Sequence, residues 1–124
     1  MVTRIFYMTS AVLGLCAITP TLTHAADDAA GKQAFAQCTA CHSTDGSNGV
    51  GPTLKGVVGR KSASVPGFAY SGAMKRANLQ WTPEELDKYI TNPQAAVPGN
   101  AMPYAGMNDA NQRKALIAYL STLK

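Results

Sequence analysis

Cys38-Thr39-Ala40-Cys41-His42 is the stretch of this chain best equipped to do chemistry. Two cysteines three positions apart stand on the same side of a helical turn. Their sulfurs can then reach the two vinyl groups along one edge of a porphyrin. The adjacent histidine is carried beneath the ring, where its imidazole can bind iron. Three other uses of the pattern are weaker. A redox dithiol needs a βαβ setting, and no strand-like alternation is present. A structural zinc usually takes four Cys or His ligands, more than the chain offers once its leader is removed. A plain disulfide leaves His42 without a role.

A second iron ligand follows by elimination. Beyond residue 25 the chain has no other histidine and no other cysteine, so the soft donors left are Met74, Met102 and Met107. A lysine would first have to lose its proton. Methionine raises the potential relative to a second histidine. Met74 falls in a candidate helical turn, where core filling is the ordinary role of a methionine. Met102 and Met107 share a loop rich in glycine and proline, and elimination does not choose between them.

Long loops and few helices must position these groups. One helix is predicted over 28–38, with Asp27 and Asp28 at its positive end. A second starts at Thr82-Pro83-Glu84-Glu85, with Thr82 as N-cap, Pro83 at the first position and Glu85 completing a capping box. It stops before Pro93. A third runs from about Asn108-Asp109 to the C-terminus, with Leu116, Leu120 and Leu123 on one stripe. A short helical turn is read over 71–76. Residues 43–67 and 92–107 are read as loops, longer than a compact domain tolerates without a functional reason. Three helices give a thin core for about 100 residues, which a large apolar cofactor would fill.

The 124 residues suit one domain. A formal charge of +4 with scattered cations does not make the basic, aromatic-interleaved stripe of a nucleic-acid binder. It suits steering toward an acidic protein surface. Residues 1–25 read as a secretory signal: Arg4, an apolar run over 5–18, Pro20, then Thr23-His24-Ala25 before the cut. The run is short for a bilayer-spanning anchor. Leu15 before Cys16 argues against a lipoprotein. The expected mature domain, 26–124, keeps ten cations against seven acids.

With these residues in view, the chain resembles the class I cytochromes c, in the branch of mitochondrial cytochrome c and bacterial cytochrome c2. The matching pieces span 28–124: Gly31-Lys32 with Phe35, GPTLKGVVGRK at 51–61, PGFAYSGA at 66–73, Trp81, Tyr89 through NPQAAVPGNAM at 92–102, and Leu116 with Tyr119. The resemblance implies an all-α fold of three main helices and long loops wrapped around one haem c, covalent through Cys38 and Cys41. It implies His42 and Met102 as the iron ligands, which ranks Met102 above Met107. By the same resemblance the Pro52 carbonyl accepts a hydrogen bond from His42, and Tyr89 lies near the methionine sulfur. Arg60, Tyr70 and Trp81 hold the haem propionates. Gly31 and Phe35 meet Leu116 and Tyr119 where the first and last helices cross.

The implied function is one-electron, outer-sphere transfer by a periplasmic carrier. Its partners would be a reductase or dehydrogenase and a terminal oxidase or similar acceptor. It would act as a monomer, with no nucleic acid and no stable membrane insertion after signal cleavage. An acceptor subunit fixed to a dehydrogenase is the alternative. A haem peroxidase would need an open iron position and a distal acid-base group. The sequence departs from the family at Asn100, where many members carry a hydroxyl residue. It departs again at Gln94, Ala95 and Ala101, where family lysines are missing. Lys32, Lys55, Lys75 and Lys88 remain. Docking is therefore expected to depend less on charge.

Overall fold

The structure, a computed structural model, describes residues 23–124. Residues 1–22 of the expected secretory segment lie outside the described residues. Five helices follow in order: α1 (Thr23–Phe35), α2 (Gly72–Ala77), α3 (Pro83–Thr91), α4 (Pro93–Ala96) and α5 (Ala110–Thr122). Among the described residues the only β-type pairing is one isolated bridge, Lys61 with Gln80. The all-α expectation holds.

α1 starts upstream of the predicted position and stops short of the cysteines. Alanines at 25, 26, 29 and 30 favour helix and extend it backwards. Its end tightens into turns, with the Cys38 amide donating to the Phe35 carbonyl at 2.8 Å. The cysteines are thus presented on turns beyond the helix rather than on its last coil.

α1 packs on α5, as the small residue at 31 suggests. A Cβ on Gly31 would lie 2.5 Å from both the Ala115 carbonyl oxygen and the Tyr119 Cβ, so only glycine permits this approach. Phe35 and Tyr119 pack beside it at a tilt, with ring centroids 5.3 Å apart. Leu116 and Leu120 are the most deeply buried leucines, joined in the core by Ala34, Leu86 and Ile117. Asp109 caps α5, its carboxylate accepting from the Asn111 and Gln112 amides at 2.8 and 3.0 Å.

α3 begins as predicted at Pro83, with the Thr82 hydroxyl accepting from the Glu85 amide at 3.2 Å. The capping box is only half formed. The Thr82 amide already donates to the Gln80 carbonyl at 2.7 Å, and Glu85 instead pairs with Lys88 at 3.3 Å. The stretch after α3 is not all loop. Asn92 caps a further turn, α4, accepting from the Ala95 amide at 3.1 Å, and Pro93 opens it as a first-position proline. Arg113 of α5 then ties this region together. It donates to Asp87 at 2.8 Å and to the Met107 and Asn108 carbonyls at 2.9 Å.

The long 43–67 segment is fixed by its own polar side chains. Asp45 accepts from the Ser47 hydroxyl at 2.6 Å and amide at 2.9 Å, which holds its carboxyl down at about 2 against an ordinary 3.8. A depressed carboxyl stabilises the fold above its unfolded pKa and loses that contribution as pH falls through the folded one. Asp45→Asn should therefore flatten the loss of stability between about pH 4 and pH 2, read from thermal melts across that window.

Candidate haem pocket

Between these elements lies a cavity of about 350 Å³. Its walls are drawn from almost every part of the described chain, with Leu54, Val57, Leu86, Leu116 and Leu120 giving them an apolar character. The nine residues that the sequence and its resemblance single out all line it: Cys38, Cys41, His42, Pro52, Arg60, Tyr70, Trp81, Tyr89 and Met102. They span 65 positions of sequence, so their meeting is a property of the fold.

The histidine is oriented by its surroundings. Its amide and that of Cys41 both donate to the Cys38 carbonyl, at 2.9 and 3.1 Å, so the five-residue motif is wound into one turn. The His42 Nδ1–H donates to the Pro52 carbonyl at 2.7 Å. That bond fixes the tautomer and leaves the Nε2 lone pair free for a metal. Gly51 packs against the imidazole so closely that a Cβ there would run into the ring. The Gly51 amide in turn donates to the Cys41 carbonyl at 2.8 Å. Cys38 and Cys41 are free and half-buried. Burial, with a smaller effect from neighbouring Cys41, pushes the Cys38 thiol up.

The three candidate methionines separate. Met102 lines the cavity; Met107 does not. Met107 is 4% exposed within the protein core, and its amide donates to the Ile90 carbonyl at 2.9 Å. Met74 also lines the cavity but is buried on α2 as core. Asn100 positions the Met102 segment. Its Nδ2 donates to the Pro93 and Val97 carbonyls at 2.8 and 2.9 Å, and its Oδ1 accepts from the Met102 amide at 2.9 Å. Asn100→Ala should cost about 2 kcal/mol, since it removes three side-chain hydrogen bonds and leaves the Met102 amide without its acceptor. A drop in the melting temperature of the haem-loaded protein would check this.

The polar groups of the pocket gather from separate loops. The Arg60 guanidinium donates to the Lys55 and Thr53 carbonyls at 2.8 and 2.9 Å, and burial lowers its pKa. The Tyr70 hydroxyl accepts from the Val65 amide at 3.2 Å, leaving its proton available. Trp81 and Tyr89 are buried with centroids 5.0 Å apart. Burial pushes the Tyr89 phenol up to about 12. Two contributors lack a sequence signal. Tyr104 donates from its hydroxyl to the Gln37 Oε1 at 2.9 Å, bridging the methionine loop to the residue before Cys38. Ala63 lines the wall with a left-handed backbone, φ 54°.

The residues present fit a haem. Thiols beside an oriented imidazole, a thioether, an apolar interior and donors for two carboxylates are the groups such a cofactor needs. Among the described residues no three His, Cys, Asp or Glu side chains converge closely enough to hold a metal ion by themselves, as a zinc site would require.

Known proteins give the same answer. The cytochrome c family model matches residues 29–124. The chain is 51% identical over 98 residues to cytochrome c-type cyt cy of Rhodobacter capsulatus, covering 78% of this chain and 49% of that protein; it thus spans about half the length of that relative. It is 45% identical over 100 residues to cytochrome c2 of Rhodomicrobium vannielii, covering 79% and 80% of the two. Among solved structures, cytochrome cH from Methylobacterium extorquens superposes with a TM-score of 0.75 at 45% identity, over 77% of this chain and 98% of that one. A shared fold, a shared sequence and a pocket lined by the groups a haem needs leave one conclusion: the chain belongs to the cytochrome c family, binds haem c covalently through Cys38 and Cys41, and is an electron carrier rather than an enzyme.

Proposed function

We propose that the protein is a periplasmic single-haem shuttle, made with a removable secretory segment over 1–25 and working as the domain 26–124. It would pass one electron at a time from a reductase or dehydrogenase to a terminal oxidase or similar acceptor. The observation that carries this reading is the convergence of the nine predicted residues on one cavity, with His42 already oriented by Pro52. Among the described residues no helix is long and apolar enough to cross a membrane.

Bound haem supplies a metal centre that gains or loses a single electron. The chain's own residues do the rest. His42 would offer Nε2 and Met102 its thioether to the iron. Cys38 and Cys41 anchor the ring against loss. Arg60, Tyr70 and Trp81 would donate to the propionates, which are costly to enclose without such partners. The leucine and valine walls exclude water and keep the site from rearranging between redox states.

An absorption spectrum of the exported protein, oxidised and reduced, tests the reading, together with a haem-stained denaturing gel. Haem that survives denaturation, six-coordinate spectra in both states and reversible exchange with dissolved ferrocyanide are expected. A stable five-coordinate ferric spectrum would instead indicate chemistry at an open iron position.

A further inference from the structure

Every residue that both lines the cavity and is exposed to solvent is uncharged: Gln37, Val50, Ala69, Ala101 and Pro103. Val50 is 75% exposed, the one large hydrophobic side chain so placed among the described residues. A single exposed aliphatic side chain is ordinary. Here it stands at the mouth of the functional cavity beside Ala69, Ala101 and Pro103, so the rim is apolar as well as uncharged. The polar member, Gln37, has its Oε1 engaged by the Tyr104 hydroxyl. None of the exposed lysines lines the cavity. Arg60, which does, is half-buried with its guanidinium committed to two backbone carbonyls.

The geometry points to this rim as a docking surface for a redox protein that presents an apolar, uncharged patch of its own. The inference rests on the carrier reading above and names the kind of partner. An acidic partner would find no cation on the rim to pair with, and burying its carboxylates there would leave them uncompensated. An apolar patch would cover Val50, Ala101 and Pro103 and lose nothing by displacing water. The net positive charge of the molecule then acts only at long range.

Haem-loaded protein can be tested on gold electrodes carrying either a hydroxyl- and methyl-terminated monolayer or a carboxylate-terminated one. Voltammetry reads electron transfer and surface plasmon resonance reads adsorbed mass. The expected result is a reversible wave on the uncharged layer that persists in high salt. Val50→Asp should lower both the wave and the adsorbed mass on that layer by about tenfold, with Lys75→Glu matching the parent. A wave confined to the carboxylate layer and lost in salt would overturn the inference, as would Val50→Asp indistinguishable from the parent. If either occurred in protein that still exchanges with dissolved ferrocyanide, the carrier reading would survive. Failure with ferrocyanide as well would remove both.

Discussion

Changing both Cys38 and Cys41 to serine is expected to yield a colourless chain that is largely unfolded at room temperature. The cavity these cysteines border is about 350 Å³. At about 24 cal/mol per Å³ for unfilled core volume, leaving it without a partner costs up to about 8 kcal/mol. Whole-domain stability is about 5–15 kcal/mol, so this one loss approaches the total. α1 and α5 cannot move closer to narrow the gap, because the Gly31 crossing already holds them at backbone contact. Far-UV circular dichroism with most of the helical signal gone would bear this out. A well-folded colourless protein with a cooperative melt would show that the protein walls alone suffice.

The second large effect lies at the methionines. Met102→Ala should abolish the weak far-red band of the ferric protein and lower the reduction potential by roughly 0.2 V, within the ~0.8 V that axial ligands govern. Met107→Ala should keep the band and the potential but destabilise the fold by about 2–4 kcal/mol, as a large-to-small change in a core does. The contrast follows from their positions, one on the cavity and the other 4% exposed in the core. Spectra, potentiometry and chemical denaturation of the two variants separate ligation from packing. The opposite pattern would exchange their roles.

Much of this site was legible in the chain because its chemistry is local. The Cys38–His42 spacing is a single turn, and the Thr82-Pro83 start of α3 is a side-chain cap. Elimination left Met102 and Met107 level, since both stand in one loop rich in glycine and proline. Only the resemblance ranked them, and the fold then places one sulfur-bearing side chain on the cavity and one in the core. α4 escaped because four residues carry no periodicity, although Asn92 and Pro93 are a cap and a first helical position. Asn100 stood out as a departure from the family. Its action was hidden because it depends on where the α4 carbonyls point. The Tyr104–Gln37 bond joins residues 67 positions apart, beyond the reach of any spacing rule.

The pairing of α1 with α5 also sets a timetable for the newly made protein. The haem-attaching residues follow directly on α1 and emerge early in synthesis, yet the surface that α1 must cover belongs to α5 and is made near the end. Bringing such distant segments together carries a loop-closure cost that grows with the length between them. The order of the helices along the chain thus makes the α1–α5 crossing one of the last parts of the fold that a growing chain can close.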